Sequence, residues 1–206
     1  MPLPMVHLAI THALMDDLPK VYKKEDIYLG AIAPDAIHMR ENFIRKFKYK
    51  THLCYGREGD VVDRLLELDN APMDGFKLGY GIHVITDIVW LYEIFYPFKD
   101  ALGDVSTKER ELIYYGENDQ LDFELYHRYA WRASVFEAMT KAKIPQSFPL
   151  LSHEEIKGWR HHILNWYNDG ESKHDIEIKH LSLDKIDAFM NEALIEIKRR
   201  LPQMMI

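Results

Sequence analysis

Apolar residues recur at helical spacing along most of the chain. In residues 5–18 the positions on one line are His7, Ile10, Leu14 and Leu18. Pro19 then interrupts this run. A second periodic segment, about 182–200, ends in three basic residues that stabilise a helix C-terminus. The pattern therefore predicts one helix near each end of the chain.

The central segments also favour helices. The most apolar of them covers residues 73–96, and a shorter one lies near 60–68. Ser106 and Ser152 each precede a glutamate by three residues, the spacing of a capping box that opens a helix.

Two other segments lack a helical pattern. Residues 24–40 contain Gly30 and Pro34 and are predicted to form a loop. A weak strand is indicated only at Asp175–Ile178. Because the chain has no repeat and no linker rich in Gly, Pro or Ser, we predict a single all-α domain, a helical bundle spanning residues 1–206.

The composition is that of a globular protein with one core. Apolar residues make up 47% and charged residues 29% of the 206 residues. The single cysteine, Cys54, excludes an intramolecular disulfide and a cysteine-based zinc finger. The longest apolar stretch, Tyr80–Phe98, is interrupted by three polar residues, so no transmembrane segment is predicted. The N-terminus lacks the features of a signal peptide, which predicts a cytoplasmic protein.

The net charge is −7, from 33 acidic and 26 basic residues. This balance makes polymeric nucleic acid an unfavourable partner, because its backbone is neutralised by Lys and Arg. A small phosphate-containing substrate remains compatible, since a bound metal ion can dominate the local charge. The 11 histidines are the unusual count, and their positions carry the functional argument.

His83 and Asp87 lie one turn apart in the most apolar predicted helix, so both project from one face. Phe76, Tyr80 and Trp90 lie near the same line, which places this face inside the protein. A carboxylate buried there must be paired, hydrogen-bonded or bound to a cation. The pair is therefore either an internal hydrogen bond or two ligands of a divalent ion.

Three further residues fit the same chemistry. Asp35 follows the apolar run Tyr28–Ala33, His52 follows Thr51, and His7 lies on the apolar line of the first helix. Considered singly, Asp35 would be a turn carboxylate, His52 a surface histidine and His7 a core histidine. Their order along the chain, followed by His83 and Asp87, favours a common metal site.

That order resembles the zinc-dependent phospholipases C and the related single-strand-specific nucleases, which are all-helical proteins with a zinc cluster. The resemblance depends on the segments MVHLAITHAL, YLGAIAPDA, KTHLC and GYGIHVITDIVW, within about residues 5–95. It is closest to the compact bacterial branch that lacks a secretion signal. The implied fold is the helical bundle of the phospholipase C type.

The resemblance also implies the ligand sets. Asp35, His52 and His83 would bind one zinc ion, while His7 and Asp87 would contribute to another. Asp35 is the implied catalytic residue. The expected reaction is hydrolysis of a phosphoester, in which metal-activated water attacks phosphorus.

The second half of the chain departs from the family pattern. Where the family has a histidine six residues after the aspartate of HxxxD, this sequence has Glu93. The later HxxxE or HxxxD is also missing, and Asp119 and Asp122 lie in that region. These three carboxylates are predicted either to form an oxygen-rich third metal site or to belong to a solvated acidic helix start. An oxygen-rich site could bind manganese or magnesium in place of zinc.

Alternative functions follow from these departures. The chain could be a helical protein that keeps part of the zinc site for binding or storage without turnover, or a partner-binding domain that uses its last helix. Basic residues near His52 could bind an anionic headgroup or simply form a solvated loop; they are Lys46, Lys48, Lys50 and Arg57.

Overall fold

A computed structural model describes residues 2–54, 60–69, 71–168, 172 and 177–205. The α-helices in these ranges are α1 (Pro4–Leu14), α2 (Lys24–Ile32), α3 (Arg45–Thr51), α4 (Val61–Leu66), α5 (Gly75–Trp90), α6 (Tyr96–Leu102), α7 (Thr107–Arg128), α8 (Arg132–Lys141), α9 (His153–Trp166) and α10 (Leu183–Met204). A 3-10 helix, Ala33–Met39, continues α2, and a π-helical turn, Leu91–Phe95, joins α5 to α6. The described residues contain no strand, so the all-α prediction is confirmed. Of the predicted strand, Glu177 and Ile178 are irregular, and Asp175 and Ile176 lie outside the described residues.

The helices α2 and α5 form the most extensive contact between two elements. Two glycines allow this approach. A Cβ on Gly30 would lie 2.1 Å from the carbonyl oxygen of Phe76, and a Cβ on Gly79 would lie 2.0 Å from that of Ile27. Both distances are far shorter than any real carbon–oxygen contact, so the two backbones can touch only where side chains are absent.

The prediction of a loop for residues 24–40 is wrong, because this segment forms α2 followed by the 3-10 helix. Residues 27–34 are all buried, so the sequence carries no alternation of polar and apolar positions that would reveal a helix. Pro34 lies at the start of the 3-10 helix, where the missing N–H costs no intrahelical hydrogen bond.

The predicted helix starts at Ser106 and Ser152 are confirmed. Each serine side chain accepts a hydrogen bond from the backbone N–H three residues later, and the box at Ser152 is completed by Glu155. The helix α10 runs through Pro202 to Met204, beyond the predicted end. It packs its buried apolar residues against α1, α4 and α5.

One helical stretch of the described chain, Gly75–Leu102, is long and apolar enough to cross a membrane. Within its most apolar window, 67% is buried inside the protein. A buried core helix meets the same criteria, so this stretch is weak evidence for a membrane span.

Candidate metal centre

Five of the predicted ligands come together from four parts of the fold. His7 projects from α1, Asp35 from the 3-10 helix, His52 from the end of α3, and His83 and Asp87 from α5. They form two groups that share His83. In His7–His83–Asp87 and in Asp35–His52–His83, one ligand atom from each residue lies within 4.8 Å of the others. Each group could therefore hold a metal ion.

The distances show how closely the ligand atoms converge. The Nε2 atoms of His52 and His83 are 3.3 Å apart. His52 Nε2 lies 3.1 Å from Asp87 Oδ2 and 3.4 Å from Asp35 Oδ1. His83 Nε2 lies 3.7 Å from Asp87 Oδ2 and 3.9 Å from Asp35 Oδ2. Two imidazoles and two carboxylates thus surround one small volume.

A backbone carbonyl fixes the orientation of His83. Its Nδ1 lies 2.7 Å from the carbonyl oxygen of Ala31, so the ring donates its proton there and leaves the Nε2 lone pair facing the carboxylates. The carbonyl can accept this bond because α2 gives way to a 3-10 helix after Ile32. In the 3-10 pattern its partner would be Pro34, which has no N–H.

The end of α3 fixes His52 in the same way. The Nδ1 atom of His52 lies 2.9 Å from the carbonyl oxygen of Lys48 and 3.1 Å from Thr51 Oγ1. Tyr80 of α5 donates its hydroxyl hydrogen to the Thr51 carbonyl, which ties the end of α3 to the helix that carries His83. Both imidazoles therefore present Nε2 to the same place.

His7 and Asp87 contribute buried polar atoms that a cation could satisfy. Within the described chain, neither ring nitrogen of His7 and neither oxygen of Asp87 has a hydrogen-bond partner of good geometry, although all four atoms are buried. The His7 ring stacks on His83 with centroids 3.7 Å apart, and its Nε2 lies 3.5 Å from Asp87 Oδ1. Buried polar atoms left in this way are costly, and a divalent ion would satisfy them.

The electrostatics keep the carboxylates ionised. Burial alone would raise the pKa of Asp35, but the Lys48 ammonium and the adjacent imidazoles outweigh it and hold that pKa well below its ordinary value. Burial of Asp87 is likewise outweighed, chiefly by His83, so that its pKa falls to about 2.

The pKa values of the three imidazoles do not all shift in the same direction. Burial lowers the pKa of His83, and burial together with His83 holds the pKa of His7 well below its usual range. For His52, burial is outweighed by the adjacent Asp35 and Asp87 carboxylates, and its pKa is raised. Ionised carboxylates with neutral His7 and His83 are the protonation state in which such groups bind metal ions.

One edge of the cluster faces solvent. The side chain of His83 is fully buried, whereas those of Asp35 and Lys48 are 14% and 20% exposed. Lys48 Nζ donates to Asp35 Oδ1 over 2.7 Å and lies 3.2 Å from His38 Nε2. Lys48 is thus part of the centre and not of a solvated loop. Arg57 lies outside the described residues.

The third, oxygen-rich site is not formed, since the two groups above are the ones found among the described residues. Glu93 is exposed in the π-helical turn and lines a groove beside α10. Asp119 accepts a hydrogen bond from Ser172, and Asp122 accepts from the Met5 N–H and the Tyr167 hydroxyl. Both lie in the middle of α7 and are buried, so the alternative of a solvated helix start is also wrong.

No sequence pattern indicates the groups that orient the ligands. The carbonyls of Ala31 and Lys48 belong to the backbone, and only the fold brings the first of them to His83.

Comparison of the chain with models of known protein families, with curated proteins and with solved structures finds no match.

Proposed function

We propose that the protein is a metal-dependent phosphoester hydrolase whose cofactor is zinc, with one ion held by Asp35, His52 and His83 and another by His7 and Asp87. The observation that carries the proposal is the convergence of the His52 and His83 Nε2 atoms on two carboxylates, with each Nδ1 engaged by a carbonyl. Imidazole and carboxylate ligands in this number suit zinc and leave coordination positions open. When bound, zinc would supply Lewis acidity toward a phosphoryl oxygen and lower the pKa of water.

The protein's own residues would orient the reactants. Asp35 is the more exposed of the two carboxylates, so its Oδ2 can accept a hydrogen bond from the attacking water at the open edge. Its low pKa suits orienting that water better than holding its proton. The buried walls formed by α1 and α5 keep other water away from His7 and His83.

The test is metal content and turnover measured together. Protein purified without added metal and then incubated with zinc is expected to hold about two ions per chain by elemental analysis. It should also hydrolyse a generic phosphodiester such as bis(p-nitrophenyl) phosphate. His83→Ala and Asp87→Asn should lower the zinc content and abolish turnover. His161→Ala, which removes an exposed imidazole on α9, serves as the control and should change neither.

A folded wild-type chain that takes up no zinc would overturn the proposal. Circular dichroism of each variant separates loss of the site from loss of the fold.

A second function, metal binding without turnover, is favoured by one observation. Glu93, Asp119 and Asp122 do not join the cluster, so the described residues offer two groups that could hold a metal ion and no third one. Zinc bound at the expected ratio, with no hydrolysis of phosphodiesters or phosphomonoesters, would support this function over the first.

A further inference from the structure

Lys48 connects the buried ligands to the surface. Its ammonium donates to Asp35 Oδ1 over 2.7 Å and lies 3.2 Å from His38 Nε2. Its own backbone carbonyl, 2.9 Å from His52 Nδ1, orients one of the ligands. Lys48 therefore contacts two candidate ligands, Asp35 through its ammonium and His52 through its backbone carbonyl.

The charges around Lys48 change when a metal ion binds. In the metal-free chain the ammonium compensates the Asp35 carboxylate, which is mostly buried. A divalent ion held by Asp35 takes over that compensation and places a second positive charge close to Lys48. The open edge then carries excess positive charge, and an anion can neutralise it.

We propose that Lys48 is the phosphate-binding residue of this site, pairing with Asp35 in the metal-free protein and with a phosphoryl oxygen once metal is bound. The inference rests on the proposed function and extends it to the substrate's anionic group. An ammonium binds phosphate as a point charge, and Lys48 combines contact with a proposed ligand and exposure to solvent. His38, which is more exposed and also faces the ammonium, borders the same edge.

The test measures zinc affinity and phosphate affinity on the same variant. Lys48→Met removes the ammonium but keeps the backbone carbonyl that holds His52. We expect zinc to bind about tenfold more tightly, because Asp35 loses a competing cation, and inorganic phosphate to bind the zinc-loaded protein at least about tenfold more weakly. Competition with a chelator gives the first affinity, and titration followed by phosphorus NMR or calorimetry gives the second.

Lys46→Met is the matched control, because it removes the same charge from an exposed position of α3; both affinities should stay within twofold of wild type. Lys48→Arg should retain most of the phosphate affinity. If Lys48→Met does not fold, Lys48→Gln provides the same comparison.

Two results would overturn the inference alone: unchanged phosphate affinity in Lys48→Met, or a parallel loss of zinc and phosphate binding, which indicates a purely structural role. Failure of the wild-type chain to bind zinc would overturn the proposed function as well, so the two failures are distinguishable.

Discussion

Asp122 is a buried acid whose role lies outside the metal centre. It accepts a hydrogen bond from the Met5 N–H over 2.9 Å and another from the Tyr167 hydroxyl. It thereby fixes the first turn of α1, two residues before His7. Burial outweighs these hydrogen bonds and raises the pKa of Asp122 to about 7.

This raised pKa predicts a pH dependence of stability. Between about pH 4 and pH 7 the folded chain keeps a proton on Asp122 that the unfolded chain has lost, so the free energy of unfolding falls as pH rises through this window. Asp122→Asn removes that contribution. Urea unfolding at several pH values should therefore show the variant gaining stability over wild type from pH 4 to 7, by at most about 4 kcal/mol.

Tyr167→Phe provides a matched comparison for Asp122→Asn. It removes a hydrogen bond that lowers the Asp122 pKa, so the pH dependence should persist and extend to higher pH. Parallel stability curves for wild type and Asp122→Asn would contradict the assignment.

At the scale of elements, how well the sequence predicts a helix depends on how that helix is buried. The helices α1, α5 and α10 were predictable from apolar periodicity, and Ser106 and Ser152 from cap spacing. The helix α2 was not, because its residues 27–32 are buried on every side. Glu93, Asp119 and Asp122 were predicted from spacing in the family pattern, and spacing does not reveal which way a carboxylate points.

The contact between α2 and α5 predicts which glycines the fold requires. Gly30→Ala and Gly79→Ala would each place a Cβ about 2 Å from a backbone oxygen of the facing helix, so the helices must separate. We expect each variant to lose more than about 3 kcal/mol of stability, as in severe overpacking. Chemical denaturation measures this loss.

Gly158→Ala on α9 is the matched control for the two glycine variants. The nearest atoms to its Cβ would be those of Met39 at 3.5 Å, an ordinary contact. This substitution should be neutral or stabilise the protein by up to about 1 kcal/mol, because alanine has a higher helix propensity than glycine. Equal effects at all three positions would contradict the packing argument.

At the scale of the whole molecule, the candidate centre depends on the complete fold. Its five candidate ligands lie between His7 and Asp87, and the packing of α1, α3, α5 and the 3-10 helix brings them together. The unfolded chain therefore lacks the site, and any ion that binds it stabilises the folded state.

Zinc should raise the thermal stability accordingly. At a free zinc concentration 100-fold above Kd the folded chain gains about 2.7 kcal/mol, which corresponds to an increase in Tm of about 5–10 °C for a chain of this length. Differential scanning calorimetry with zinc and with EDTA measures the difference. His83→Ala should lose the increase; an equal rise in that variant would indicate binding at other histidines.

The close contact of α2 and α5 has a consequence for detecting relatives of this protein. Because Gly30 and Gly79 set the separation of the helices that lead to Asp35 and carry His83, the ligands alone do not define the site. A homologous chain with all five ligands but larger residues at both glycine positions would hold Ala31 too far from His83 to orient it. The diagnostic pattern for an intact centre is therefore seven residues, the five ligands and these two glycines.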